Sequence, residues 1–323
     1  MKLFVIVLLA ALFAGTAALS AIFHNAALRT AISDAIPGTK PAWGKDDLLV
    51  LVVGLDYDYD KLDQETSAHS RSDIIMAIHL DFKGRHIHEL SVPRDMVATL
   101  PGGQQAKINQ AQSDGGIAES QTVVAQWLGV PAFDRYVVLR IDTLKDLVNA
   151  IGGIDVYVKT SDCLHYHTGC AQGRLDYDDS WGHLHVHLSE GMQHLDGDGA
   201  VGYARFRHDW CSDPCRIMRQ QQVARAILQR LNADEANTLM HVTSLLAVIN
   251  KDVQTNLTTQ EELGIAWSLR SLTSWKIVTA QEPYTRNIEL PGYGDSIVAD
   301  DSAKRELVRT MLMPSGISQN ALH

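Results

Sequence analysis

The chain has 323 residues, 46% of them hydrophobic, and carries 28 Lys and Arg against 38 Asp and Glu, a formal net charge of −10. That length buries one large core or two modest ones, and a single catalytic domain is the expectation. The acidic balance excludes a nucleic-acid-binding protein, because grip on a phosphate backbone is driven by an excess of Lys and Arg.

Residues 1–23, MKLFVIVLLAALFAGTAALSAIF, carry one lysine followed by about 20 uncharged residues, enough to cross a bilayer. Lys2 before the span and little positive charge after it orient the remainder outward. A retained transmembrane anchor is preferred. Its rival is a cleaved signal peptide, for which Ala18, Ser20 and Ala21 offer small residues and which would release a secreted form. Residues 24–45, broken by Pro37, Gly38, Pro41 and Gly44, read as a stalk. Residues 46–300 then read as the domain, and 301–323 as a C-terminal helix and tail.

From Asp47 the run DLLVLVVGLD is continuously apolar up to Gly54 and Asp56, the pattern of a strand buried on both faces with a polar end at the sheet edge. A polar stretch leads to SRSDIIMAIHLD, a second strand beginning at Asp73, so two strand ends each offer a carboxylate. Gly84 turns a hairpin between strands at 74–80 and 86–92, and Pro93 ends the latter, leaving Arg94 and Asp95 in the loop beyond. QQAKINQAQSDGG supplies Lys107 and Asn109 ahead of a helix over 117–128, closed by Gly129 and Pro131. RYVVLRID is a buried strand. Asp142 caps a helix, TLKDLVNAI, that stops at Gly152 and Gly153, and IDVYV is a strand after it. Strands and helices alternate with hairpins among them, which predicts an α/β fold with a mixed sheet covered on both faces.

Residues 161–188 form a polar insertion holding His165, His167, His183, His185 and His187. In HLHVH the alternating histidines share one strand face, where they either make an exposed polar surface or bind a metal. No acidic or thiol ligand is placed obviously beside them, so the polar surface is the preferred reading. Residues 195–203 read as a short helix, and YARFR as a strand with Arg205 and Arg207 on one face. Beyond it the chain gathers Arg216 and Arg219 about Asp209 and Asp213, and Arg216 and Gln220, four apart, share a helix face. Arginine's planar fork grips phosphate at two points, so four arginines fit an anion such as pyrophosphate. The plainer reading is a surface ion-pair network with the two aspartates.

The four cysteines fall in two close pairs, Cys163 with Cys170 and Cys211 with Cys215. In an exported chain these are expected to be local disulfides; a metal site is the alternative, though neither spacing is that of a standard zinc ligand pair. Helices follow over 220–231 and 237–249, and a third in TNLTTQEELGIAWSL, where Thr258 is the N-cap and Glu261 completes a capping box. WKIVTAQ is a late strand and SAKRELVRTML a closing helix.

With these motifs in order, the chain resembles the LytR-CpsA-Psr cell-envelope proteins. The likeness rests on GLD at 54–56, SRSD at 70–73, SVPRD at 91–95, KIN at 107–109, LVNAIGGIDV at 147–156, LDGDGAVGYARFR at 195–207 and RIMRQQ at 216–221, and covers roughly residues 47–298. It implies an α-β-α sandwich around a central mixed sheet, anchored by one N-terminal transmembrane helix with the domain outside the cytoplasm. It implies a phosphotransferase dependent on Mg²⁺, with Mn²⁺ as the alternative ion. Such an enzyme moves a glycan phosphate from a polyprenyl pyrophosphate carrier in the membrane lipid onto peptidoglycan or another envelope acceptor. Carried over by motif, Asp56 and Asp73 are the metal ligands. Arg94, Arg205, Arg207 and Gln220 contact the pyrophosphate, with Asp213 and Arg216 in the same cluster and Lys107 beside them. Arg94, Arg205, Arg207 and Asp213 make the catalytic set. The chain departs from the family's pattern at HDWCSDPC, 208–215, in place of a glycine-rich, cysteine-free stretch; spacing to Arg216 favours Asp213 over Asp209. The histidine-rich insertion is also atypical.

In the leading reading an acceptor hydroxyl attacks the phosphorus nearest the glycan, with Asp95 and Asp213 as candidates for its base. Two alternatives stand beside it: a polyprenyl pyrophosphate phosphatase that uses water, and a non-catalytic binder of the lipid carrier with a regulatory role. A pure binder needs the arginines but has no use for Asp56 and Asp73.

Overall fold

The apolar run after Asp46 becomes β1 (Asp47–Leu55), which sends Leu51 and Val53 into one core and Leu48, Val50 and Val52 into another. A strand buried on both faces needs no polar alternation, which is why its sequence reads as an unbroken apolar stretch. The computed structural model describes residues 46–55, 71–160, 174–179, 184–206, 212–233, 253–258 and 275–313, with positions 248, 251, 261, 265 and 268 besides.

β2 (Ser72–Asp81) and β3 (His86–Val92) form the expected hairpin, followed by the short pair β4 (Val97–Thr99) and β5 (Gln105–Lys107) and by α1 (Gln110–Leu128). Then come β6 (Arg135–Arg140), α2 (Ile141–Ala150), β7 (Ile154–Val158), the ribbon of β8 (Arg174–Asp179) and β9 (Leu184–Ser189), and β10 (Gly191–Leu195), which pairs with β7. Next are α3 (Gly197–Arg205), α4 (Ser212–Ala233), β11 (Val253–Thr255), β12 (Lys276–Gln281), the hairpin of β13 (Tyr284–Leu290) and β14 (Gly294–Ala299), and α5 (Asp301–Met311).

The central sheet is mixed, in the order β11-β6-β1-β2-β3-β12. β1 is parallel to β6 and β3 to β12, whereas β1–β2, β2–β3 and β6–β11 are antiparallel. One face of the sheet carries the largest core, which takes in Val123, Val124 and Leu128 of α1 with Val308, Met311 and Leu312 of the closing helix region. The other face packs Val52, Met76, Ile78 and Leu139 against Ile265 and Trp275. A third core joins α2, β7, the β8–β9 ribbon, α3 and α4 through Leu147, Val156, Leu175, Val186, Tyr203 and Phe206. The fold is thus mixed α/β about a central mixed sheet.

Three local expectations change. The helix expected from residue 117 begins at Gln110, because Gly116 (φ 64°, ψ −155°) joins two helical pieces at a kink where the SDGG run reads as a loop. Arg140, extended at φ −101° and ψ 159°, is the N-cap of α2 in place of Asp142, and its N–H donates to Thr143 Oγ1 at 3.1 Å. The strand expected over YARFR is instead the last turn of a helix. Asp196 caps α3 by accepting from the Gly199 N–H at 2.8 Å, helical bonds continue through Arg205, and Phe206 at φ −57°, ψ 129° stops them. The capping box of Thr258 and Glu261 is as expected: Thr258 N–H donates to Glu261 Oε2 at 2.8 Å, and Glu261 N–H to Thr258 Oγ1 at 3.2 Å. Among the described residues no helix is long and apolar enough to cross a membrane; the anchor and stalk expected over 1–45 lie outside them.

Candidate active site

The C-terminal ends of four strands meet at one edge of the central sheet. The parallel pairing brings the C-terminal ends of β1 and β6 together, Leu55 beside Arg140, and those of β3 and β12 likewise, with Gln281 beside Ser91. β2, running the other way, starts there. In open α/β sheets the crevice outside the carboxyl ends of parallel strands is where ligands bind.

Asp73 stands at this edge on an irregularity. Gly54 pairs with Ile74 but Leu55 pairs with Ser72, so Asp73 is the extra residue of a β-bulge. Bulges re-aim a side chain, and here the carboxylate is delivered to Arg94, two residues past the end of β3, as an ion pair. Arg94 Nε also lies 3.6 Å from Asp95 Oδ2, and Lys107 Nζ reaches Asp95 Oδ1 at 2.8 Å. Burial works against the Arg94 charge, but Asp73 and then Asp95 outweigh it and raise its pKa above the ordinary arginine value.

The loop that carries Arg94 is pinned on two sides. Ile108 N–H donates to Met96 O at 2.7 Å and Asn109 N–H to Arg94 O at 3.3 Å, while Ile297 N–H donates to Asp95 O at 2.9 Å. Pro93, Arg94, Asp95, Lys107 and Asn109 are therefore one built unit, although 11 residues lie between Asp95 and Lys107 in the sequence. Asn109 is buried, and its Oδ1 has no hydrogen-bond partner among the described residues. A buried acceptor of this kind is a place where a hydrogen-bond donor, water included, can be taken up.

The second group lies where α3 meets α4. Arg205 ends α3, and Arg216, partly buried, and Gln220, buried, lie on α4. Gln220 Nε2 donates to Ala204 O at 3.5 Å, so it secures the end of the helix that presents Arg205. Arg219 is not part of an open clamp. It is 5% exposed, donates from Nη1 to Phe206 O at 2.9 Å, and lies 5.1 Å from the Phe206 ring centroid. Its work is to cap the carbonyl end of α3. Asp56, Arg207, Asp209 and the side chain of Asp213 lie outside the described residues, as do Cys163, Cys170 and Cys211 with the two expected bridges; Cys215 is buried and is not a free thiol.

Asp73 suits a hard cation by donor chemistry. Magnesium takes one or two carboxylates and fills its shell with water and substrate phosphate oxygens, so it needs no larger protein cage. Asp56, the other expected ligand, directly follows Leu55 at the same bulge but is outside the described residues. Among the described residues no group of three or more His, Cys, Asp and Glu side chains is arranged as a metal cage.

One further carboxyl stands near this edge without joining the clamp. Glu282 follows β12, its N–H donates to Ser91 O at 2.8 Å, and burial pushes its pKa to about 7 against the pull of Lys304. Asn109 is the site residue that sequence reasoning left without a role; its place in KIN was the available signal, but burial of an unmatched acceptor is legible only in three dimensions.

The chain matches the LytR_cpsA_psr family over residues 21–310. It is 31% identical over 239 residues to the polyisoprenyl-teichoic acid--peptidoglycan teichoic acid transferase TagV of Bacillus subtilis (strain 168), covering 73% of this chain and 56% of that protein. It is 29% identical over 258 residues to the polyisoprenyl-teichoic acid--peptidoglycan teichoic acid transferase TagU of Bacillus cereus (strain AH820), covering 77% of this chain and 75% of that one. The crystal structure of B. subtilis TagV superposes with a TM-score of 0.57 at 27% identity, over 83% of this chain and 96% of that chain. The match spans most of the chain, from residue 21 to residue 310: the chain belongs to the LytR_cpsA_psr family.

Proposed function

We propose that the chain is a glycopolymer phosphotransferase that moves a glycan phosphate from a polyprenyl pyrophosphate carrier onto peptidoglycan or a related envelope acceptor. The observation that carries this reading is the Asp73–Arg94–Asp95–Lys107 unit at the sheet edge, in a chain whose relatives are named as transferases of this kind.

The residues act on charge. Arg94 and Lys107 are held in place by carboxylates before a ligand arrives, and such preorganised donors stabilise negative charge that builds up during reaction. Arg205, offered from the end of α3, with Arg207 just beyond it, takes the opposite side of a pyrophosphate in this reading. Asp95 already serves Lys107 and Arg94, so it orients cations and is the poorer of the two candidates for a base. The acceptor hydroxyl gives its proton to a base, for which Asp213 is the remaining candidate, and forms a bond to the phosphorus nearest the glycan as the bond to the bridging oxygen breaks; polyprenyl phosphate leaves with that oxygen. Asp73, with Asp56, would hold Mg²⁺, which supplies Lewis-acid neutralisation of the pyrophosphate oxygens when bound. Residues 1–23 would anchor the domain at the outer face of the membrane, where a lipid-linked donor is found.

The test is transfer by the full chain in detergent, given a polyprenyl pyrophosphate-linked glycan labelled on the glycan-side phosphorus, peptidoglycan fragments and Mg²⁺. Label on the fragments, with polyprenyl phosphate released in equal amount, is expected. Label released as free glycan phosphate whether or not fragments are present would replace the reading with a phosphatase, and tight binding without bond cleavage would replace it with a carrier-binding protein.

A further inference from the structure

The histidine-rich insertion contains a feature that the transferase reading does not use. In the β8–β9 ribbon, Asp176 pairs with His187 and Asp178 with His185 across the strands. Leu175 and Val186 point inward to the core shared with Tyr203 and Phe206, so the aspartates and histidines occupy the outer face. The carboxylates that the histidine run lacks in its own sequence are thus supplied by the partner strand.

We propose that this outer face is a binding site for a divalent transition ion of the zinc type, with His187 Nε2, Asp178 Oδ1 and His185 Nδ1 as ligands and Asp176 as the group that orients His187. His187 uses its Nδ1 on Asp176, which leaves Nε2 turned to Asp178 Oδ1 at 3.2 Å. A carboxylate on one ring nitrogen fixes the tautomer and aims the other nitrogen at a metal, the usual arrangement behind a ligating histidine. With bonds of about 2.0–2.1 Å, tetrahedral donors stand roughly 3.3 Å apart. The Asp178–His187 separation already meets that spacing. The His185 Nδ1–Asp178 Oδ1 contact, at 2.6 Å, has to open by about 0.7 Å. As placed, that contact is a direct hydrogen bond, and among the described residues the side chains do not form a finished metal cage. Both residues are more than half exposed, so the adjustment is a rotation of surface side chains with no core to repack. Three protein ligands leave a fourth position for water or a ligand from outside. Imidazole with carboxylate suits zinc better than magnesium, which prefers an all-oxygen shell.

The placement gives such an ion a consequence. The ribbon lies directly against α3: a Cβ on Gly202 would meet Val186 Cγ2 at 3.1 Å and His185 O at 3.3 Å. An ion clipping β8 to β9 would stiffen the surface on which the helix carrying Arg205 rests. Acid opposes binding, because protons compete with the ion for the imidazole rings.

The test uses the full chain, purified without a histidine tag and stripped with chelator, titrated with Zn²⁺ alone by calorimetry; Co²⁺ substitution reports geometry by its visible absorption. One equivalent bound, lost in His187→Gln and in Asp178→Asn and weakened about 10- to 100-fold in Asp176→Asn, is the expected result. Metal-free melting curves of all three variants should overlay the parent, since the positions face outward; a variant that fails this check is replaced by His185→Gln, for which the same loss is expected. No zinc uptake by the parent overturns the site. So does uptake that survives both His187→Gln and Asp178→Asn, which would place the ion elsewhere, for instance at Asp73.

Discussion

Asp73 owes its position to one misfit in strand register. Without the bulge at Gly54 and Leu55 its side chain would follow the ordinary alternation of β2, and the carboxylate would not be singled out for Arg94. Asp73→Asn is therefore expected to abolish transfer and to cost only about 0–1 kcal/mol of stability, because the pair is partly solvent-exposed; activity assays with Mg²⁺ beside thermal melts check both halves. That this aspartate stands at a strand end was legible in the sequence. That it pairs with Arg94 was not, because the register shift depends on how β1 and β2 align. Glu282 makes the same contrast: nothing in its neighbours marks it, yet burial raises its pKa from the ordinary 4.5 to about 7. Between those values the native state keeps a proton that the unfolded chain has released, so stability falls as pH rises through this window and levels off above it. Glu282→Gln should remove that slope, gaining on the parent at pH 8 relative to pH 5 by at most roughly 3 kcal/mol in denaturant titrations. Equal slopes in the two proteins would show that the carboxyl is ionised at both pH values.

At the scale of elements, the junction of α2, α3 and α4 sets where Arg205 stands. The sequence reads as a short helix over 195–203 that gives way to a strand at YARFR, and short-range alternation cannot reveal that the helix runs on through Arg205 or that Arg219, 13 positions after Phe206, will hold its far end. Those are contacts between elements. Gly197 shows how close the approach is: its N–H donates to Asn149 Oδ1 at 2.8 Å, and a Cβ there would strike the Lys145 carbonyl oxygen of α2. A backbone carbonyl cannot swing aside, so Gly197→Ala should push α3 off α2 at a cost of about 1–3 kcal/mol and displace Arg205, lowering transfer as well as melting temperature. Gly199→Ala is the control. Its Cβ would meet chiefly the Asp196 carboxylate at 3.2 Å, which can yield by a few tenths of an ångström, and it should cost much less on both measures.

Across the whole molecule, the closing helix belongs to the same body as the sheet edge. The sequence reads 301–323 as a closing helix and tail set apart from the domain at 46–300. The apolar stripe of α5 nonetheless buries Val308 and Met311, with Leu312 just after, in the largest core beside Val123 and Leu128, and Lys304 lies 4.3 Å from the Trp127 ring centroid. Burying side chains of this size contributes about 1.5–3 kcal/mol each. Losing three therefore removes roughly 5–9 kcal/mol, as much as the entire stability of many domains. At the other end of the described residues, Asp46 O accepts from Phe82 N–H at 3.0 Å and Leu48 is already buried. A chain of residues 46–313 should then melt cooperatively and within a few degrees of the full protein, whereas residues 46–300 should show no cooperative transition and should be cut rapidly in limited proteolysis. A sharp melt from 46–300 near that of 46–313 would mean that α5 rests on the core without supporting it.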